Sequence, residues 1–249
     1  MKRLLHELAA AFGLLTRLPV GPFLPPGAAV NHAGCVWAYP VVGLKVGLLG
    51  GIVYWLAAWV GMPPALAAGW TLAALMLLTG GLHEDGLADT ADGFGGGSGR
   101  DRKLEIMRDS RIGSYGAAAL ILSLGLRGAA IAAMATPGAV LIGLIVAGVF
   151  GRAAMIVLLL ALQPARADGL GASLGRVPAG PAAAGLAIAL LAAGVLLGMP
   201  AAFRAIASAV VGTACMALLA RRQIGGYTGD VLGATEIVVE CLVLTALAT

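Results

Sequence analysis

Four acidic residues fall within nine positions of the segment 81–93, which reads Gly-Leu-His-Glu-Asp-Gly-Leu-Ala-Asp-Thr-Ala-Asp-Gly. Three of them, Asp85, Asp89 and Asp92, are spaced i, i+4 and i+7, so a helix would place them on one face. Like charges at this spacing destabilise a helix unless a cation lies between them. Carboxylates that hold Mg²⁺ are also the usual way in which proteins bind phosphorylated substrates. The spacing therefore predicts a Mg²⁺ site, the alternative being an acidic helix end exposed to solvent.

A second charged stretch follows at 100–112. As a helix it would carry polar side chains on one face and apolar side chains on the other, which is typical of helices that lie on a membrane surface. Glu105 and Asp109 form a second acidic pair at i, i+4. Arg108 and Arg111 carry forked donors that match phosphate oxygens. Ion pairing within the segment is the alternative explanation for these charges.

The composition predicts that lipid surrounds most of the chain. Of its 249 residues, 60% are hydrophobic and only 11% are charged, whereas soluble domains carry about 25% charged residues. We predict an all-α, polytopic integral membrane protein in one domain, 1–249, with about seven transmembrane helices (six to eight) and an amphipathic interfacial helix. The apolar runs lie at 36–60, 65–82, 115–135, 139–162, 182–199, 203–220 and 231–248.

The connections between these runs alternate between short, uncharged loops and longer, charged ones. Because Lys and Arg favour the cytoplasmic side, the charged connections should share that side, including the predicted catalytic segment 83–114. We therefore predict a bacterial inner-membrane protein whose active site faces the cytoplasm. The N-terminal segment resembles a signal peptide, but Glu7 interrupts it, so we interpret it as a retained interfacial or re-entrant helix. No basic tract with interleaved aromatic residues indicates nucleic-acid binding. Glycine-rich helix faces permit a homo-oligomer without requiring one.

Charged residues within the apolar runs are functional candidates, because burying them is costly. Arg127 and Arg152 lie near the middle of two runs. We expect them to face a polar cavity or to pair with Glu236 or Glu240, or else to contact a phosphate or an amide group of a substrate. Near the last run, Asp230 could either cap a helix or belong to the site.

Four motifs, in order along the chain, carry a resemblance to a known family. They are Thr-Arg-Leu-Pro at 16–19, His-x-Asp-Gly-Leu-Ala-Asp-Thr-x-Asp-Gly at 83–93, Leu-Glu-Ile-Met-Arg-Asp-Ser-Arg-x-Gly at 104–113 and Gly-Gly-x-Thr-Gly-Asp-x-Leu-Gly-Ala at 225–234. With these motifs the chain resembles the cobalamin-5′-phosphate synthases, also called adenosylcobinamide-GDP ribazoletransferases. The resemblance implies a Mg²⁺-dependent membrane enzyme that joins adenosylcobinamide-GDP to α-ribazole or its 5′-phosphate and releases GMP. One departure is Glu84, whose position is usually apolar in this family.

The resemblance also implies roles for individual residues. Asp85, Asp89 and Asp92 would bind the metal; Glu105, Asp109 and Asp230 would form a second ligand group; Arg17, Arg108 and Arg111 would bind the pyrophosphate, with Thr228, Asp230 and Arg152 as further substrate contacts. In the corresponding mechanism, a hydroxyl attacks a phosphorus atom, and arginines stabilise the transferring group. His83 or Asp92 would accept the hydroxyl proton, although His83 could instead hold a metal ligand in place.

Three other functions would each explain part of this pattern. A transporter would explain charges within the spans, but not the dense aspartate cluster at one end. A lipid-linked phosphotransferase of the CDP-alcohol type uses clustered aspartates too, but its signature has a longer spacing. A scaffold without catalytic activity explains the aspartates least well.

Overall fold

A computed structural model describes residues 2–24, 31–134, 136–169, 171 and 174–249. Its helices are α1 (Lys2–Leu15), α2 (Tyr39–Trp59), α3 (Pro64–Thr79), α4 (Leu82–Gly96), α5 (Arg100–Ile106), α6 (Ser114–Met134), α7 (Pro137–Ala161), α8 (Ala179–Leu196), α9 (Met199–Ile224) and α10 (Gly229–Leu247). Each of the seven apolar runs lies mostly within these helices in the described part of the chain, which confirms the all-α, polytopic prediction.

Five helical segments in the described part of the chain are long and apolar enough to cross a membrane. They are α6, α7, α8, α9 and the segment Gly34–Trp59, which contains α2. The pair α3 and α4 makes a sixth if it counts as one broken span. The remaining run forms α10, whose 19 residues include three acids. The count of apolar spans is therefore at or just below the lower end of the predicted six to eight.

Helix α7 is the centre of the bundle, and most of its residues are buried. It packs most extensively against α2, at a contact formed by glycines. A Cβ atom at Gly43 or Gly47 would collide with the backbone of α7 near Gly148 and Leu144. Small residues let helices approach this closely within a membrane, where packing rather than hydrophobic exclusion drives association.

A sharp bend separates α3 from α4, the helix that carries Asp85, Asp89 and Asp92. Gly80 and Gly81 both adopt left-handed backbone conformations, with φ of 70° and 68°. Two consecutive residues of this kind are strained for any residue with a side chain, so glycine is required here. The two helices meet at 91°. The bend therefore sets the direction in which α4 carries its carboxylates.

The charged connections meet at one end of the bundle, as predicted. Arg100 on α5 donates to the backbone oxygens of Ile224 and Ala165, which belong to two other connections. Lys103 hydrogen-bonds with Gln223, and residues 163–165 pair with Tyr227 through two backbone hydrogen bonds. Segments that are distant in the sequence thus form one polar surface.

Of the two segments predicted as interfacial helices, the first forms a helix over most of its length and the second over only part of it. Helix α1 covers most of the first, with buried alanines on one side and the exposed Arg3 near its start. Trp37 fixes α1 by donating a 2.8 Å hydrogen bond to Glu7. In the second segment the helix ends at Ile106, so it is shorter than the sequence predicted. Asp109 accepts a hydrogen bond from the backbone N–H of Arg111, a local turn that competes with helical pairing.

Candidate active site

A cleft of about 650 Å³ opens beside the bend between α3 and α4. Asp85 and Asp89 line it from α4, Arg17 from the segment after α1, and Ser110 from the segment between α5 and α6. The side chain of Arg17 lies directly over Gly80, where a Cβ atom would collide with it. The cleft thus combines two of the predicted metal ligands with one of the predicted phosphate-binding arginines.

Asp230 lies beside this pair of carboxylates, at the start of α10. Gly86 allows α10 to lie this close to α4, because a Cβ atom at position 86 would come within 2.7 Å of the Asp230 backbone oxygen. Asp85 and Asp230 both lie close enough to repel the charge of Asp89. Thr228 caps α10 by accepting from Val231 N and also donates to the Asp230 carboxylate. The sequence left open whether Asp230 was a cap or a site residue; here the cap is Thr228, and Asp230 lies beside the acidic pair.

Asp92, the third predicted ligand, also repels the charge of Asp89, but its carboxylate is bound to the start of α6. Its two carboxylate oxygens accept hydrogen bonds of 2.7 Å from Gly113 N and 2.9 Å from Gly116 N. These are backbone donors at the N-terminus of α6, which lack partners within their own helix. Asp92 is buried there and acts as the cap of α6. The described arrangement therefore brings two of the three predicted aspartates to the cleft.

The charges of the segment 100–112 pair with one another or with nearby loops. Arg102 lies 2.7 Å from Glu105, and Arg111 lies 2.6 Å from Asp109. Hydrogen bonds from Arg111 lower the pKa of Asp109 to about 2, so this carboxylate stays charged. Glu105 and Asp109 are each held by an arginine, and neither belongs to a group of three potential metal ligands among the described residues.

Arg108 forms a close contact that the sequence did not predict. Its Nη2 lies 2.6 and 2.7 Å from the two carboxylate oxygens of Asp168. Both side chains are more than half exposed, so water screens this pair. A phosphate that binds Arg108 would compete with Asp168. The predicted phosphate ligand is thus exposed and available for exchange.

A buried network of charges lies behind the cleft. Arg127 contacts Glu84 at 2.9 Å and Glu240 at 3.3 Å, and Arg152 contacts Glu236 at 2.7 Å. The predicted pairing of the two arginines with the acids of α10 is confirmed. Both arginine side chains are buried, with only 1–3% of their surface exposed. Arg152, a predicted substrate contact, therefore lies in this buried network and not in the open cleft.

His83 also faces this network. Its Nδ1 lies 3.7 Å from Glu236 Oε2, and the side chain is almost fully buried. Its Nε2 has no hydrogen-bond partner among the described residues. The structure therefore places both candidate bases, His83 and Asp92, away from the open cleft.

Arg166 is the residue that the sequence analysis missed. Backbone pairing between Ala165 and Tyr227 brings its loop next to α10. Its Nη2 then lies 3.4 Å from the Asp230 carboxylate, and it also attracts the charge of Asp89. In the sequence it is one loop cation among several, 64 residues before Asp230, and no local pattern marks it.

The residues of the cleft fit Mg²⁺ better than a metal that the protein encloses fully. No three His, Cys, Asp or Glu side chains within the described ranges are arranged to surround an ion. Mg²⁺ is usually held by one or two carboxylates together with substrate phosphates and water. Asp85 and Asp89 meet this need, since neither has a cationic partner within salt-bridge distance in the described structure. Their mutual repulsion would be relieved by a bound cation.

Comparison with known proteins gives consistent matches over the whole chain. The family model for cobalamin-5-phosphate synthase matches residues 7–248. A protein of Bradyrhizobium diazoefficiens named adenosylcobinamide-GDP ribazoletransferase is 46% identical over 248 residues, covering 100% of this chain and 95% of that one. Its namesake in Mesorhizobium japonicum is 42% identical, covering 98% and 93%.

No solved structure matches this chain. The match to the family model leaves only a few residues at either end uncovered, and it includes every motif on which the resemblance was based. A third relative, from Azorhizobium caulinodans, has the same name and is 43% identical over 246 residues. The chain therefore belongs to the cobalamin-5-phosphate synthase family.

Proposed function

We propose that the protein is a Mg²⁺-dependent transferase that joins adenosylcobinamide-GDP to α-ribazole or α-ribazole 5′-phosphate. The products would be adenosylcobalamin or its 5′-phosphate, together with GMP, in a late step of cobalamin biosynthesis. The relatives that share at least 42% of their residues with this chain over nearly its full length carry the name of this activity. The observation that supports it best is the cleft, where two carboxylates without cationic partners face Arg17.

In the reaction, the ribazole hydroxyl oxygen forms a bond to the phosphorus atom that bears cobinamide. The bond from this phosphorus to the GMP oxygen breaks, and GMP leaves with the electron pair. Bound Mg²⁺ would neutralise the charge that develops on the pyrophosphate. Asp85 and Asp89 would hold the metal, with Asp230 next to them. A cleft carboxylate that does not bind the metal would accept the hydroxyl proton.

The arginines would bind and orient the phosphates. Arg17 reaches the cleft from the segment after α1, where its side chain lies over Gly80. Arg108 and Arg111 lie on the neighbouring exposed segment, where each is paired with an aspartate that a phosphate would replace. Fixed guanidinium groups of this kind stabilise the oxygens of a transferring phosphoryl group.

We propose the bacterial inner membrane as the location, with the cleft facing the cytoplasm. The cleft lies at the same end of the bundle as the charged connections, and the positive-inside rule assigns that end to the cytoplasm. A cysteine introduced at Ser98, which is exposed between α4 and α5, would test the orientation. It should react with a membrane-impermeant thiol reagent in inverted vesicles and not in intact cells.

An assay with purified protein tests the function. Protein in detergent, with Mg²⁺, adenosylcobinamide-GDP and α-ribazole, should release GMP and form a cobalamin in equal amounts. Replacing α-ribazole by its 5′-phosphate in a parallel reaction shows which acceptor gives the higher kcat/KM. GMP release without any corrinoid product, or no reaction with either acceptor, would contradict the proposal.

A further inference from the structure

Arg166 lies between the acidic cluster and the exposed arginine segment. Its guanidinium is 3.4 Å from the Asp230 carboxylate and 3.9 Å from that of Asp168. Asp168 in turn contacts Arg108 at 2.6 Å. Since Arg166 also attracts the charge of Asp89, it is next to the proposed metal ligands as well. It is thus positioned between the two groups of residues that the reaction would need.

The donors of Arg166 are only partly used. Its two ion pairs, at 3.4 and 3.9 Å, are longer than the Arg152–Glu236 pair at 2.7 Å and the Arg108–Asp168 pair at 2.6 Å. Its Nη1 is buried and has no hydrogen-bond partner among the described residues. The side chain is 17% exposed, so it is held in place yet reaches the surface of the site. A buried N–H without a partner is costly and indicates that a further acceptor belongs beside it.

We propose that Arg166 binds the pyrophosphate of the nucleotide-linked substrate, a contact that rests on the proposed function. The guanidinium of Arg166 provides two parallel donors, which suit the paired oxygens of a phosphate. A pyrophosphate that shares a cation with Asp85 and Asp89 would present its other oxygens towards Arg166. Asp230 and Asp168 hold the guanidinium before the substrate arrives, through contacts long enough to be exchanged for phosphate.

The test uses full-length protein in detergent and two readouts. Equilibrium dialysis with Mg²⁺ and without ribazole measures the binding of adenosylcobinamide-GDP. Steady-state kinetics measure KM for each substrate. Arg166→Met should weaken binding and raise the KM of the nucleotide-linked substrate by about tenfold to a hundredfold, the value of about one charged hydrogen bond. The KM of α-ribazole should change less than about twofold, which distinguishes a substrate contact from a general loss of structure.

Two further variants make the result decisive. Arg166→Lys keeps the positive charge but loses the parallel donors of the guanidinium. Its affinity for adenosylcobinamide-GDP should therefore fall between those of wild type and Arg166→Met. Arg176→Met removes an exposed arginine farther along the same connection and should behave as wild type. If Arg166→Met binds adenosylcobinamide-GDP as tightly as wild type, the Arg166 assignment is overturned while the proposed function stands. If the wild-type protein itself neither binds nor converts this substrate, the proposed function fails first.

Discussion

Arg127 on α6 donates a 2.9 Å hydrogen bond to Glu84 on α4, within the interior of the bundle. The pair ties the aspartate helix to a span that begins 30 residues later. Glu84 precedes the proposed ligand Asp85, so the first turn of α4 has one carboxylate fixed inside and the next exposed to the cleft. The same arginine also contacts Glu240, which connects α4 with α10. Three helices around the site are thereby held in one arrangement.

Arg127→Met should destabilise the protein strongly. The change leaves Glu84 without its buried partner, and breaking a buried ion pair from one side costs about 3–5 kcal/mol. Thermal unfolding in detergent should show a large drop in Tm, whereas Arg204→Met on an exposed face of α9 should leave it nearly unchanged. The double variant Arg127→Met with Glu84→Leu should recover part of the loss, since it removes an unpaired charge. A double variant as unstable as the sum of the two single ones would show that the pair is not coupled.

Asp89→Asn should abolish activity without reducing stability. Removing one charge from a cluster that also contains Asp85 and Asp230 relieves repulsion, so Tm without Mg²⁺ should stay the same or rise. Added Mg²⁺ should raise the Tm of wild type, because a ligand that binds the folded state stabilises it, and should raise that of the variant much less. We expect kcat to fall by about a hundredfold or more. An active Asp89→Asn protein would remove this metal assignment.

Asp92 should behave as a structural cap and not as a metal ligand. Asp92→Ala leaves Gly113 N and Gly116 N without acceptors and should cost about 0.5–2 kcal/mol of stability. Asp92→Asn keeps one acceptor oxygen and should retain most of the activity. Side-by-side measurements of Tm and kcat for Asp92→Asn and Asp85→Asn would separate the two roles. Equal losses of activity in the two variants, with Tm unchanged, would indicate that Asp92 binds the metal.

The sequence predicted the helices and their charged end well, because both follow from local patterns. Apolar runs of about 20 residues become helices in lipid whatever their neighbours are. The spacing of Asp85 and Asp89 likewise places both on one face of α4. Asp92 follows at the predicted spacing in the same helix, but the spacing could not show that its carboxylate would meet the N-terminus of α6. The role of Arg166 depends on backbone pairing between segments more than 60 residues apart, which no local pattern reveals.

The contact between Arg108 and Asp168 predicts opposite effects for its two members. Arg108→Ala removes a proposed phosphate ligand and should lower kcat/KM for the nucleotide-linked substrate by about tenfold or more. Asp168→Ala removes a competitor of the phosphate at Arg108, while Arg166 keeps its shorter contact with Asp230, so the KM of this substrate should fall or stay constant. Both side chains are largely exposed, and stability should change little in either variant. Equal losses of kcat/KM would mean that the pair acts as a unit that holds the loop.

Gly86→Ala tests whether the close approach of α4 and α10 sets the geometry of the site. A Cβ atom at this position would come within 2.7 Å of the Asp230 backbone oxygen, so the start of α10 would have to shift. The shift would separate Asp230 from Asp85 and Asp89, and a misplacement of about 1 Å near reacting groups can cost a hundredfold in rate. Gly125→Ala is a matched control in the interior of α6, where a Cβ atom meets open space. Because alanine has a higher helix propensity than glycine, the control variant should be at least as stable as wild type, and its kcat should be unchanged. Full activity in Gly86→Ala would show that catalysis does not depend on the distance between these helices.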